Sequence, residues 1–424
     1  MVPNERTTFS DMTVRTSGRI GLGQGTALLV GAVLGPGMLV LPHLAASAAG
    51  PASMLAWAWL LALSVPVALT FAALGVRYPD AGGVASFVGL AFGRHASAVA
   101  GWWFYGAVPL GIVAGASVGG RYVEATLGVH GVLAACLILM AAFGANAAGL
   151  RTSGGLQIGL VALLVALLAT AVIAAAPHID PVNFTPFAPY GLAGVAGAAG
   201  VLMFAFVGWE AASHLSAEFA DSRRGLVRAT VVALAAITAL YLGVSIVSLG
   251  VLGADMPGVP LTALLETGIG AVARPITGVV AVLLTFGAIN TYIAGASRLG
   301  AALARDGALP GWFARGGAPG GTPYRSMGLL VVLSLPVLIW AVDLDLLMRA
   351  TSACLAAVTA AGVAAAVRVL PAGRHRNTAV AGTGMSLVAL AFCGVHLVVP
   401  AVLALVALGM LRLSARRPLP GARG

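Results

Sequence analysis

Gly31-Ala-Val-Leu-Gly35-Pro-Gly37-Met-Leu-Val-Leu-Pro42 lies inside a long apolar run, from about Ile20 to Ala49, otherwise suited to a membrane-spanning helix. Its centre works against that helix. Glycine is the weakest ordinary helix former, and proline removes a backbone donor and clashes with the preceding turn. In lipid, broken backbone survives only where it is buried in protein or lines a polar cavity. The stretch therefore predicts a discontinuous helix, one half ending before Gly35 and the other starting near Met38, with a binding site at the gap. On these residues alone a simple proline kink is the competing reading.

Composition settles the solvent. Of 424 residues, 60% are hydrophobic and only 8% charged, with mean hydropathy +1.00, whereas soluble domains carry about 25% charged residues. The short alternating segments of an outer-membrane barrel are absent. The expected fold is an all-α polytopic membrane protein. Residues 1–19 are polar and basic, and the apolar run after them exceeds a signal-peptide core, so that run is expected to stay as the first span. At about 20 apolar residues per span, spans are predicted over 20–49, 52–76, 97–120, 131–150, 154–176, 193–217, 226–253, 275–300, 326–342, 346–368, 378–393 and 395–413. That makes about twelve.

The formal charge is +10, and all 23 basic residues are arginine. With the N-terminus in the cytoplasm and the spans alternating, 20 arginines fall on the cytoplasmic side, and only Arg121, Arg274 and Arg349 fall outside. This positive-inside asymmetry places both termini in the cytoplasm of a multi-pass cell-membrane protein. It also accounts for the net charge, so no nucleic acid or other anionic partner is needed beyond the lipid bilayer. Cys136, Cys354 and Cys393 show no pairing pattern, and neither a disulfide, a metal nor a cofactor is implied.

The expected organisation is a cytoplasmic tail (1–19), a first block of five spans (20–176), a Pro-rich external linker (177–192), a second block of five (193–370), two further spans (371–413) and a second cytoplasmic tail (414–424). An odd number of spans per block makes the second block enter from the opposite side. That is the inverted-repeat arrangement of many secondary transporters, in which the first helix of each repeat is broken. The sixth span repeats the anomaly of the first: Leu202-Met-Phe-Ala-Phe-Val-Gly-Trp-Glu210 puts Gly208 at mid-helix and a carboxylate two residues later. Asp80-Ala-Gly-Gly-Val-Ala-Ser-Phe87 leads into the third span, and Pro257 to Ala273 leads into the eighth; either alone also reads as an ordinary interfacial helix.

Four stretches together resemble the amino acid–polyamine–organocation superfamily of permeases over nearly the whole chain. They are the glycine break at 35–37, Tyr78-Pro-Asp-Ala-Gly-Gly-Val-Ala-Ser-Phe-Val-Gly-Leu-Ala-Phe-Gly93, Phe204-Ala-Phe-Val-Gly-Trp-Glu210, and Glu218-Phe-Ala-Asp-Ser-Arg-Arg-Gly-Leu-Val-Arg228. Within the superfamily, the stretches from Gly82 and from Glu210 are most similar to the bacterial exporters of methionine and branched-chain amino acids. The resemblance implies a five-plus-five inverted repeat of the leucine-transporter type, alternating access, and a substrate held between broken helices 1 and 6.

Elementary electrostatics reaches the same site. A half-helix beginning near Gly37 points unpaired N–H groups and its positive dipole end into the gap, which suits a carboxylate. Free carbonyls before Gly35 and from Phe204 to Val207 suit an ammonium. The candidate substrate-binding residues are Ala32, Val33, Gly35, Pro36, Gly37, Met38, Phe204, Phe206, Val207, Gly208 and Trp209. Many relatives carry a hydroxyl residue where this chain has Pro36, so the carboxylate donors fall to Gly35, Gly37 and Met38.

Glu210 and His214, one turn apart on one face, are the candidates for proton coupling. The competing role of Glu210 is to bond backbone at the break, and that of His214 is packing. Asn290, Thr291 and Tyr292 occupy the region where sodium-dependent relatives have oxygen ligands, although such side chains in membrane helices more often join helix to helix. Some proton-coupled relatives use a lysine in the fifth helix, which a chain without lysine cannot. The expected function is a secondary transporter of neutral, apolar amino acids, coupled to protons or alternatively to sodium or exchange. A non-transporting receptor on the same fold is the reading from another class, and no nucleophile–base pair favours an enzyme.

Overall fold

The computed structural model describes residues 21–415 except 79–82, 150–153, 207, 213–218, 220–221, 318–320 and 341; for Gly154, Phe206, Ser222, Arg223 and Ala415 it describes the backbone alone. The regular elements among these residues are helices. In chain order they are α1 (Leu22–Val33), a 3-10 turn (Pro36–Leu39), α2 (Leu41–Ala49), α3 (Ser53–Arg77), α4 (Val84–Phe92), α5 (Arg94–Leu127), α6 (Gly131–Ala147) and α7 (Gly154–Ala175). There follow α8 (Gly191–Leu202), a 3-10 turn (Met203–Phe206), α9 (Ser222–Leu252), α10 (Pro260–Ile269), α11 (Ala273–Arg305), α12 (Tyr324–Ile339), α13 (Leu344–Val369), α14 (Arg374–Ala391) and α15 (Val398–Ala415).

Among the described residues, seven helical stretches are long and apolar enough to cross a membrane: 41–77, 94–127, 155–178, 224–252, 273–305, 344–369 and 394–414. The first of these is bent by a 3-10 turn at Gly50–Ala52. Four shorter apolar helices, Leu22–Val33, Gly131–Ala147, Gly191–Ala205 and Tyr324–Ile339, are each 10–17 residues long. The first and third of these are the pieces that the breaks leave behind. A helix of 12 residues, such as α1, rises only about 18 Å, so it reaches partway through the roughly 30 Å of hydrocarbon.

Contacts between helix ends sort those ends onto two faces. On one face, the Tyr78 hydroxyl at the end of α3 donates to Val369 O at the end of α13, at 3.2 Å. There Arg94 at the start of α5 donates to Asp306 O, Ser414 to Gly307 O, and Tyr324 to Ala147 O. Phe219 packs between Gly25 of α1 and Gly225 of α9, which brings the starts of those two helices together. On the other face, His43 of α2 meets Met256 O at 2.8 Å, Asn183 donates to Gly250 O, and Arg349 donates to Gly197 O. Two of the three arginines expected outside are ion-paired there, Arg274 with Glu266 and Arg349 with Asp345.

The long helix α5 is central, packing against α4, α6, α11, α12, α13 and α15. Small residues permit its close approaches. Gly120 lies against the Gly131 carbonyl, and Gly119 lies within reach of Thr285, the membrane pattern of small side chains letting backbones meet. The two lead-in segments are both short helices. α4 buries Val84, Phe87 and Val88 ahead of α5, and α10 buries Leu261, Leu264 and Leu265 ahead of α11.

One boundary differs from the sequence expectation. The outer half of the first helix becomes α-helical at Leu41 instead of near Met38, and the gap is filled by the 3-10 turn. Pro42 explains the shift. Proline is tolerated only in the first turn of a helix, where its missing N–H has no intrahelical partner, so α2 cannot begin much before it.

Candidate functional site

The first break is built from backbone. The last helical bond of α1 is Leu34 N–H to Val30 O at 2.7 Å, and Gly35 is then extended, at φ −97° and ψ 177°. The Gly35 N–H turns back to Val33 O, the Met38 N–H to Gly35 O and the Val40 N–H to Gly37 O. Among the described residues the carbonyls of Gly31, Ala32 and Leu34 receive no backbone N–H, and the Gly37 N–H has no backbone acceptor. Of the three amides expected to bind a carboxylate, only that of Gly37 is thus left over.

The second break faces the first. After the 3-10 turn, Gly208 has φ +125°, a region that strains any residue with a Cβ. A Cβ there would fall against the Ala32 carbonyl and within 2.8 Å of Val33 N. The two breaks therefore meet backbone to backbone at this point. A second close approach is Gly37 against the Phe204 ring, 2.8 Å from an ideal Cβ position. The Glu210 carboxylate accepts the Gly208 N–H at 3.0 Å, fixing the turn from within.

Tyr241 of α9 ties the breaks together. Its hydroxyl lies 3.1 Å from Val33 O and 3.4 Å from Ala205 O, and its ring meets Trp57 edge-on at 5.4 Å. Tyr122 of α5 similarly donates to Leu39 O at 2.7 Å. Tyr241→Phe removes the donor shared by Ala205 O and Val33 O, the latter keeping its bond from the Gly35 N–H, at a cost of about 0.5–1.5 kcal/mol. The expected result is lower thermal stability and a several-fold weaker substrate affinity, read by thermal unfolding and equilibrium binding in detergent. Unchanged affinity and stability would show that the breaks hold their geometry without it.

A cavity of about 320 Å³ opens at the break, bounded by α1, α5, α7, the second break and α11. Two smaller spaces, about 40 and about 30 Å³, share walls with it through Phe104, Tyr292, Gly35 and Pro36. The main volume is in the range usual for small-molecule sites, about 300–1,000 Å³. Its walls are mainly apolar, including Leu34, Leu160, Val161, Leu164 and Leu284, with Gln157, Thr291, Tyr292 and Glu210 as the polar side chains. Tyr292 is 36% exposed although it lies at mid-helix in α11, because it borders all three spaces. The cavity extends to Gln157 in the first turn of α7. It thus reaches toward the face that holds the start of α1. On the opposite side Gly194 of α8 is packed on the backbone of Ala48 and Ala49 in α2.

Most of the residues anticipated from the sequence meet here. Ala32, Gly35, Pro36, Gly208, Glu210 and Thr291 border the main cavity, and Val33, Gly37, Met38 and Phe204 border the smallest space. Trp209 is 1% exposed and outside these walls. Val207 and His214 lie outside the described residues, as does the side chain of Phe206. The carboxamide of Asn290 is engaged by Asn146 of α6 at 2.6 Å, and the Thr291 hydroxyl bonds Gly287 O. The first contact joins α6 to α11, and the second is a side-chain bond within α11 itself. Phe104, Gln157 and Tyr241 were not anticipated, whereas Tyr292 was anticipated only as part of a sodium site. The available signal was a tyrosine at mid-span, whose buried hydroxyl requires a partner.

Comparison with known proteins agrees with this geometry. A family profile described as "Amino acid permease" matches residues 20–413. The chain is 33% identical over 357 residues to the uncharacterized amino acid permease YecA of Bacillus subtilis, covering 82% of this chain and 84% of that one. It is 34% identical over 290 residues to the L-methionine/branched-chain amino acid exporter YjeH of Escherichia coli, covering 66% and 68%. A branched-chain amino acid permease of Bacillus subtilis, BcaP, is 25% identical over 347 residues, 74% of each chain.

Proposed function

Because the chain belongs to the amino acid permease family, we propose that it is a secondary active transporter of neutral, apolar amino acids, working by alternating access and coupled to protons. In this reading the chain makes about twelve membrane crossings, both termini lie in the cytoplasm of the cell membrane, and residues 20–176 and 193–370 form the two inverted repeats. Supporting the repeat are the paired breaks, the paired lead-in helices α4 and α10, and the sorting of helix ends onto two faces.

The carrying observation is a cavity in which loosened backbone meets apolar side chains. The carbonyls of Gly31, Ala32 and Leu34 suit an ammonium, and the Gly37 N–H suits a carboxylate. Backbone thus holds the part that all amino acids share, and Leu34, Phe104, Leu160, Leu164 and Phe204 meet the part that varies. Burying an unpaired charged side chain against such walls costs several kcal/mol. The names of two relatives, an exporter of methionine and branched-chain amino acids and a branched-chain amino acid permease, favour the same substrate class. The closed packing of α2 on α8 and the cavity's reach toward the start of α7 correspond to a state open to the cytoplasm.

Counterflow in proteoliposomes with a panel of twenty amino acids tests this. Leucine, isoleucine, valine and methionine are expected to compete at least about tenfold better than arginine or glutamate, a difference of about 1.4 kcal/mol. Stronger competition by arginine or glutamate would overturn the substrate assignment. Binding without accumulation of label would replace the transporter by a receptor.

A further inference from the structure

A larger cavity, of about 850 Å³, lies away from the breaks, among α4, the start of α5 and the end of α11. Its polar wall carries Arg94, Arg305, Asp306, Ser86 and Ser97. Each guanidinium is fixed by one backbone acceptor, Arg94 by Asp306 O at 2.7 Å and Arg305 by Gly317 O at 3.1 Å. A guanidinium has five N–H donors, so both keep donors to spare. Among the described residues the ion pairs are Arg274–Glu266 and Arg349–Asp345, so neither Arg94 nor Arg305 is neutralised by the Asp306 carboxylate. The wall carries two positive charges against one negative.

The rim is apolar. Leu90 borders the cavity and is 61% exposed, and Phe92 beside it is 41% exposed. The nine-residue helix α4 buries Val84, Phe87 and Val88 on its other side. A short helix with exposed apolar side chains beside arginines belongs at the membrane–water boundary. Basic pockets between helices at that level hold anionic headgroups, and paired guanidiniums match phosphate oxygens.

We infer that this cavity binds the phosphodiester headgroup of an anionic phospholipid, with Arg94 and Arg305 on the phosphate and the acyl chains over Leu90 and Phe92. The inference needs the membrane setting but not the substrate assignment. Its apolar rim is what favours a lipid over a soluble phosphate.

The test is lipid binding to the purified full-length protein in detergent, read by native mass spectrometry. Phosphatidylglycerol is titrated against phosphatidylcholine, with a parallel titration of inorganic phosphate. Phosphatidylglycerol is expected to bind at least about tenfold tighter than phosphatidylcholine, about 1.4 kcal/mol, and the double variant R94Q/R305Q is expected to erase that preference. The control R374Q/R376Q removes the same charge from the exposed start of α14 and is expected to keep it. Ser97 lines the cavity within 3.2 Å of where a Gly89 Cβ would sit, so Ser97→Leu narrows the cavity between α4 and α5 with the charges intact. It is expected to lose the preference too, which covers the case of a double variant that does not fold. Equal losses in the two double variants, or full binding by Ser97→Leu, would overturn the site. Displacement of the lipid by an equimolar amount of inorganic phosphate would overturn its assignment to a lipid.

Discussion

Gly208→Ala is expected to abolish transport while leaving a folded, inserted protein. Two effects add at this position. At φ +125° any side chain is strained, by about 1–3 kcal/mol. The added methyl also meets the Ala32 carbonyl and the Val33 nitrogen, and backbone in a packed helix cannot swing aside as a flexible side chain does. The two breaks would have to part, and they are the walls that hold both ends of the proposed substrate. A combined cost of about 3 kcal/mol or more corresponds to at least about a hundredfold loss of affinity. Proteoliposome uptake and size-exclusion chromatography read the two properties separately. Gly295→Ala is the matched control, because that glycine is helical and its Cβ would meet open space; it is expected to transport normally. Wild-type uptake by Gly208→Ala would move the substrate site away from the meeting of the breaks.

The site was legible in the sequence where the chemistry is local. Gly35-Pro36-Gly37 and Gly208 break their helices through their own backbone properties, and Glu210 bonds an amide only two residues away. Such features need no knowledge of what lies beside them. Neighbours distant in sequence were not legible. Tyr241 bridges Val33 and Ala205 only because α9 packs against α1 and α3, and no local pattern says which groups its hydroxyl meets. The same holds for Asn290, whose partner Asn146 is 144 residues away. A polar side chain at mid-span announces that it needs a partner, but not which one. The charge bias acts on each loop in turn, and the contacts between helix ends put Arg94 on one face and Arg274 and Arg349 on the other.

Glu210→Gln is expected to separate coupling from substrate exchange. Among the side chains bordering the cavity, Glu210 supplies the carboxylate, and an ionisable group at such depth is a functional candidate by default. It also has a structural duty, since its oxygen accepts the Gly208 N–H at 3.0 Å. A glutamine carbonyl oxygen can accept the same bond, so the turn survives, but the side chain no longer gains or loses a proton. If Glu210 carries the coupling proton, the variant should exchange labelled for unlabelled substrate within about twofold of wild type. Its gradient-driven accumulation should fall by more than about tenfold, equivalent to 1.4 kcal/mol of lost coupling. Glu210→Ala removes both the proton site and the acceptor, leaving the Gly208 amide unpaired at about 1–3 kcal/mol, and should lose exchange as well. A purely structural Glu210 gives another pattern: the glutamine variant keeps both activities, with an unaltered dependence on pH, and only the alanine variant fails. Gradient-driven accumulation by Glu210→Gln at the wild-type level would therefore remove the proton from this carboxylate. The same assay with an imposed sodium gradient would then decide whether Thr291, which also borders the cavity, takes part in coupling.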